Sequence, residues 1–205
     1  MSQKRALIVI DVQNEYVTGN LRIEYPDVQL SLGNIARAMD AAHAAGIPVV
    51  VVQHLAPEDS PVFARGSQLA ELHATVAKRP FDFHVEKSMA SALTNTGLGA
   101  WLRDRQIDTL TLVGYMTHHC DISTTLQAHH ECWQVELLHD ASGSLPYGNS
   151  AGAASAEEIH RAFTVVMNTG FAAVVSTDEW LEAVKDGQAL SQDNIYASNQ
   201  RAVQR

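Results

Sequence analysis

Short, unbroken apolar runs that alternate with helical patterns constrain this chain more than any other feature. Ala6-Leu7-Ile8-Val9-Ile10 is apolar at every position and stops at Asp11. A strand with one wet face would alternate apolar and polar residues, so such a run reads as a strand buried on both faces. Residues 49–52 (four valines) and 172–175 repeat the pattern, 109–113 closed by Gly114 is β-branched, 135–138 ending at Asp140 is apolar apart from Glu136, and 83–87 is a further short candidate. Between them lie an Ala-rich amphipathic stretch over 31–45 with Gly46 at its C-cap, and helical patterns over 97–105 and about 118–131. Ser155 opens a further helix, with Glu157 and Glu158 in its first turn, that runs to about Asn168. Thr177 is placed to cap a short helix over 178–185, which Gly187 would close.

Strands separated by helices need crossover connections, and right-handed crossovers give a parallel sheet covered on both faces. The expectation is one three-layer α/β/α domain over residues 1–186, with six strands. Residues 54–82 hold three of the six prolines and read as an irregular surface excursion. Residues 187–205 form a polar C-terminal tail, either disordered or packed on a neighbouring subunit.

With 205 residues the chain can bury a sizeable core. Its net charge of -9 excludes nucleic acid or an anionic membrane as the main partner, because no basic field attracts phosphates. The longest apolar run, 47–52, is interrupted by Pro48 and is far too short to span a bilayer. At the N-terminus the apolar run meets Asp11 too early for a signal h-region, so a cytoplasmic protein is expected. Two cysteines, Cys120 and Cys132, cannot build a disulfide scaffold, which directs attention to a reactive thiol.

In an open parallel sheet, ligands bind beyond the carboxyl ends of the strands. Asp11, His54, Lys87, Cys120 and Asp140 all fall at those ends. An acid, a lysine and a cysteine at one edge make a nucleophile with a base and a cation beside it. Cys120 stands near the start of a helix, where the dipole and a neighbouring lysine favour a thiolate. Cys132, beside Trp133, reads as a packed core thiol. No G-x-G-x-x-G follows the first strand, where Asp11-Val12-Gln13-Asn14 stands instead, so a dinucleotide-binding module is excluded.

Three blocks together carry a resemblance. Asp11-Val12-Gln13-Asn14, Lys87-Ser88-Met89-Ala90-Ser91-Ala92-Leu93 and Gly114-Tyr115-Met116-Thr117-His118-His119-Cys120 resemble, in order and at the expected strand ends, the isochorismatase-like cysteine hydrolases. The resemblance spans roughly residues 4–184. It implies a Rossmann-like sheet of order 3-2-1-4-5-6 and an Asp11-Lys87-Cys120 triad that hydrolyses an amide or ureido-type C–N bond of a small molecule through a thioester. It also implies a cis peptide between Tyr115 and Met116, an oxyanion hole from the Met116 and Cys120 amides, and a homo-oligomer, dimer or tetramer. Tyr16, His54, Tyr115 and His119 are the candidate substrate contacts.

The ten histidines raise a metal site as a question. The family's nicotinamidases bind a divalent ion through an Asp-x-His after strand two and a further histidine. Val52-Gln53-His54 lacks that aspartate, and His54 with His73 alone make a poor ligand set. Neither metal nor cofactor is expected. The adjacent pairs His118-His119 and His129-His130 cannot converge on one ion from a helix. The alternatives are a metal-dependent nicotinamidase and a catalytically silent binding or assembly scaffold of the same fold. The isochorismate ether-cleaving branch does not rely on a cysteine at this position.

Overall fold

The unbroken apolar run of the first strand divides its side chains between two cores. Leu7 and Val9 enter one, while Ala6, Ile8 and Ile10 enter the other. All five are fully buried, and each large aliphatic contributes about 1.5–3 kcal/mol by leaving water. The computed structural model describes residues 3–204; expectations touching Met1, Ser2 and Arg205 lie outside the described residues.

Strands β1 (Arg5–Ile10), β2 (Val49–His54), β3 (Phe83–Lys87), β4 (Thr109–Tyr115), β5 (Gln134–Gly143) and β8 (Ala173–Val175) form a parallel six-stranded sheet in the order β3-β2-β1-β4-β5-β8. This is the expected 3-2-1-4-5-6 order. The sixth strand carries the number eight because a small antiparallel hairpin, β6 (Tyr147–Asn149) and β7 (Gly152–Ala154), intervenes. One face is covered by α1 (Val28–Ala44) and α6 (Thr177–Asp186), with Trp180 fully buried between α6 and the sheet. The other is covered by α3 (Leu98–Asp104), α4 (Ile122–His130) and α5 (Ala156–Met167), through Leu98, Leu102, Ala128 and Met167. A one-turn helix, α2 (Ala74–Ala77), lies in the 54–82 excursion.

Several boundaries shift for identifiable reasons. Helix α1 begins three residues early because Asp27 caps it, its carboxylate accepting from the Gln29 and Leu30 N–H groups at 2.8 and 3.2 Å. The cap of α6 is Ser176 rather than Thr177: Ser176 and Glu179 form a reciprocal capping box. Thr177 instead donates its hydroxyl and its N–H to the Asp140 carboxylate, so Asp140 anchors α6 and does not serve the site. Cys132 is exposed, not packed in a core. It follows α4 in the left-handed conformation that ends helices, with φ 69°. The tail contains a helix, α7 (Ile195–Val203), capped by the Asn194 side chain, and its Ile195, Tyr196 and Val203 side chains are exposed. Among the described residues no helix is long and apolar enough to cross a membrane.

Candidate active site

Three strand ends and one turn bring the chemistry together. In register, Ile10 lies between Val52 of β2 and Gly114 of β4, and His54 lies opposite Lys87. Asp11 follows β1 and Lys87 is the last residue of β3. Gly114 makes this convergence possible: at φ 118°, a Cβ there would sit 2.0 Å from the Ile10 carbonyl oxygen. Asp11 itself has φ 51°, a left-handed conformation that costs a non-glycine residue on the order of 1–3 kcal/mol. The turn turns its carboxylate into the sheet edge, where it is fully buried. Gln13 ties the same loop to β2, its amide donating to the His54 carbonyl and accepting from the His54 N–H, both at 2.9 Å.

After β4 the Tyr115–Met116 peptide is cis. A single π-helical turn, Thr117–Asp121, then precedes α4, so Cys120 sits in this turn and not in the first turn of an α-helix. The Met116 carbonyl accepts from the N–H groups of His119 and Asp121 at 3.0 and 3.2 Å, which fixes Cys120 between them.

Lys87 is the hub. Its Nζ lies 2.7 Å from Asp11 Oδ2, in an ion pair whose two side chains are wholly buried. The same ammonium donates to Cys120 Sγ at 3.3 Å and to the Met89 carbonyl at 3.1 Å, and approaches His54 Nδ1 at 3.4 Å. Its three N–H groups are taken by Asp11, Cys120 and Met89, so His54 Nδ1 is a longer contact and not a fourth hydrogen bond. Burial, followed by Lys87, lowers the His54 pKa and keeps the ring neutral. Burial works against the Lys87 charge, but Asp11 and then Cys120 outweigh it and hold its pKa above the ordinary value.

The thiol does not follow the expectation of a depressed pKa. Burial pushes Cys120 above the ordinary thiol range, Asp11 pushes it further, and Lys87 only partly opposes them. The positive charge that would favour a thiolate is already shared with Asp11. The resting group is therefore a thiol beside a carboxylate that can take its proton.

An isochorismatase domain model matches residues 5–179. The chain belongs to the isochorismatase family of hydrolases. A crystal structure from Burkholderia xenovorans, described as a candidate isochorismatase, is 66% identical, with TM-score 0.98 over 99% of this chain and 98% of that one. A secreted isochorismatase effector of Verticillium dahliae is 32% identical over 142 residues, 69% of this chain and 74% of that protein. A ureidoacrylate amidohydrolase of Variovorax paradoxus is 28% identical over 211 residues, covering 87% of this chain and 80% of its own.

Within this family fold the remaining candidates separate. His119 is exposed, with Nδ1 3.8 Å from Cys120 Sγ. Tyr16 is buried, its ring 5.1 Å from Phe63 and 5.5 Å from Tyr115. Tyr115 is also fully buried and faces α1, its hydroxyl 2.7 Å from Ser31 Oγ. His73 serves as the cap of α2, its Nδ1 accepting from the Thr75 N–H. Among the described residues no three His, Cys, Asp or Glu side chains gather as a metal site, and the residues at the nicotinamidase ligand positions do not fit one.

Sequence reading missed two residues here. Phe63, from the irregular 54–82 excursion, has φ 54° and packs on Tyr16 and His54, a position no local pattern marks. Asp121 is completely buried beside Cys120, and its one signal was an acidic residue directly after the cysteine in the helical pattern.

Proposed function

We propose that this isochorismatase-family protein is a cysteine hydrolase that cleaves an amide or ureido-type C–N bond of a small molecule through a thioester. The observation that carries this reading is the single Lys87 ammonium holding both Asp11, at 2.7 Å, and Cys120, at 3.3 Å. Asp11 takes the thiol proton as Cys120 Sγ attacks the substrate carbonyl carbon, and Lys87 stabilises the sulfur as it becomes negative. The Met116 and Cys120 amides receive the oxyanion of the tetrahedral intermediate. Collapse breaks the C–N bond, and the proton on Asp11 leaves with the amine. Water then attacks the thioester, returning a proton to Asp11, and the acid departs as the thiol is restored.

Cys120, Asp11 and Lys87 are each less than a twentieth exposed, which suits a small substrate. The ureidoacrylate relative supports the ureido class. A silent scaffold gains nothing from burying an acid, a lysine and a thiol in mutual contact, since such burial is costly. Val52 at the missing aspartate position disfavours the metal-dependent alternative. The test is a panel of amides and ureides assayed for ammonia or amine release. Cys120→Ala should abolish turnover, and Asp11→Asn should lower kcat by ~10²–10⁴-fold. An Asp11→Asn enzyme turning over at the wild-type rate refutes the mechanism.

A further inference from the structure

Asp121 has no part in the reaction just described, yet it is a fully buried carboxylate, and neither of its oxygens has a hydrogen-bond partner. Among the described residues no lysine, arginine or histidine forms an ion pair with it, in contrast to Asp11. An ionised carboxylate in such a place lacks the donors that normally offset its desolvation, so it stays neutral far more readily than a surface acid.

Its surroundings are those of the nucleophile. Asp121 follows Cys120 in the chain, and Asp11 from the end of β1 and Lys87 from the end of β3 act on it directly. Tyr16 and Tyr115 feel its charge from the loop after β1 and from β4. From β5 it meets the Ser142 hydroxyl, which favours its charged form without a hydrogen bond of good geometry. His118 and His119 share its turn, while His160 of α5 bonds Thr117 at 2.9 Å and has His139 of β5 beside it.

We propose that Asp121 is a positioning acid that acts through Cys120: neutral, it permits the thiolate; ionised, it opposes it. With Asp121 protonated, the site holds one negative carboxylate and one ammonium, so one more negative charge on sulfur can be accommodated. Loss of the Asp121 proton to solvent places a second carboxylate beside the sulfur, with the same single cation to serve three anions. Burial, and next Asp11, raise the Asp121 carboxyl to about 7, opposed by Ser142 and Lys87. Reciprocally, Asp121 is among the groups that push the Cys120 thiol up.

The inference rests on Cys120 being the nucleophile, and the experiment separates the two. Iodoacetamide alkylation of Cys120 in the full-length protein, followed by peptide mass mapping from pH 5.5 to 9, reads the thiolate without a substrate. Asp121→Asn should alkylate at the wild-type rate, within about twofold, at pH 5.5, where both side chains are neutral. At pH 9 it should react ~tenfold faster, because the variant lacks the second carboxylate. Ser142→Ala weakens the ionised form of Asp121, so the pH at which wild type begins to lag should move upward; this variant decides the matter if Asp121→Asn does not fold. Equal rates at every pH, or a ratio that does not change with pH, overturn the role of Asp121. Failure of wild-type Cys120 to alkylate at any pH overturns the nucleophile itself, and this inference with it.

Discussion

Replacing Lys87 by methionine tests the hub of the site without changing its shape. The ammonium and Asp11 Oδ2 are 2.7 Å apart with both side chains at 0% exposure. At an effective dielectric near 20 their attraction is about 6 kcal/mol, most of it offset by the desolvation of both charges. The offset vanishes once one partner is removed. Among the described residues no other cation pairs with Asp11, so Lys87→Met leaves an uncompensated buried carboxylate. Breaking a buried pair in this way costs about 3–5 kcal/mol. In a domain of this length each kcal/mol lowers Tm by about 2–4 °C, which places the variant roughly 6–20 °C below wild type. The double variant Asp11→Asn, Lys87→Met removes both charges and should recover much of that loss, since neutral pairs of similar shape are tolerated. Thermal unfolding followed by circular dichroism at pH 7 measures all the variants. A Lys87→Met protein melting within 2 °C of wild type, or a double variant showing the sum of the single losses, refutes the reasoning.

Gly114→Ala forces a Cβ to within 2.0 Å of the Ile10 carbonyl oxygen at φ 118°, and should cost about 3 kcal/mol or more while displacing Asp11. Gly33→Ala, on the open face of α1, should instead raise stability by up to ~1 kcal/mol; equal melting temperatures for the two would contradict both. Ellman's reagent at pH 7 should modify the exposed Cys132 before the buried Cys120, and the reverse order on mass mapping counts against the protonated resting thiol. Burial, with neighbouring histidines, lowers the folded-state pKa values of His118 and His160 to about 4, whereas both protonate near 6.5 when unfolded. Their stabilisation is present above pH 6.5 and is lost as pH falls to 4, on the order of 3 kcal/mol each, with Asp121 working in the opposite sense over about pH 4–7. Urea midpoints that stay flat between pH 6.5 and 4 would show that these rings are not neutral in the fold.

The sheet was legible because each of its strands writes its own burial. The runs at 6–10 and 49–52 read as strands covered on both faces, and the helices between them make the sheet parallel, while the strand order came from the resemblance of the three blocks. What escaped was short or non-local. The β6–β7 hairpin and α7 are each too small to show a period, and α7 is announced by Asn194 alone, as a cap. The Arg5–Glu136 pair is buried at 2.8 Å with Thr111 and Trp180, but the pair's residues lie 131 positions apart and nothing in their spacing links them. Of the site, Asp11, Lys87 and Cys120 could be proposed from strand ends and block resemblance together. Phe63 could not, since its place depends on the course of a loop in which its N–H donates to the distant Glu15 carboxylate.

The charge state of the nucleophile was the least legible feature, and the reason is general. A helix start and a nearby lysine are visible in sequence and both predict a thiolate, but the outcome depends on how many anions share the one cation. Three candidates, Asp11, Cys120 and Asp121, compete for the one buried ammonium of Lys87. Only one of them can be negative at little cost, and the closest, Asp11 at 2.7 Å, holds that position at rest. Several departures from ordinary backbone and bonding geometry fall at this site: Asp11 in the left-handed region, Gly114 against the Ile10 carbonyl, and Asp121 without a partner. Local rules that hold along the rest of the sheet fail here together, as they do where a fold gives up stability to hold reactive groups in place. A neutral resting thiol is then the stable form, and in the proposed mechanism its proton passes to Asp11 only as the sulfur attacks a substrate carbonyl. On that mechanism a thiol that is neutral at rest is a poor nucleophile toward stray electrophiles.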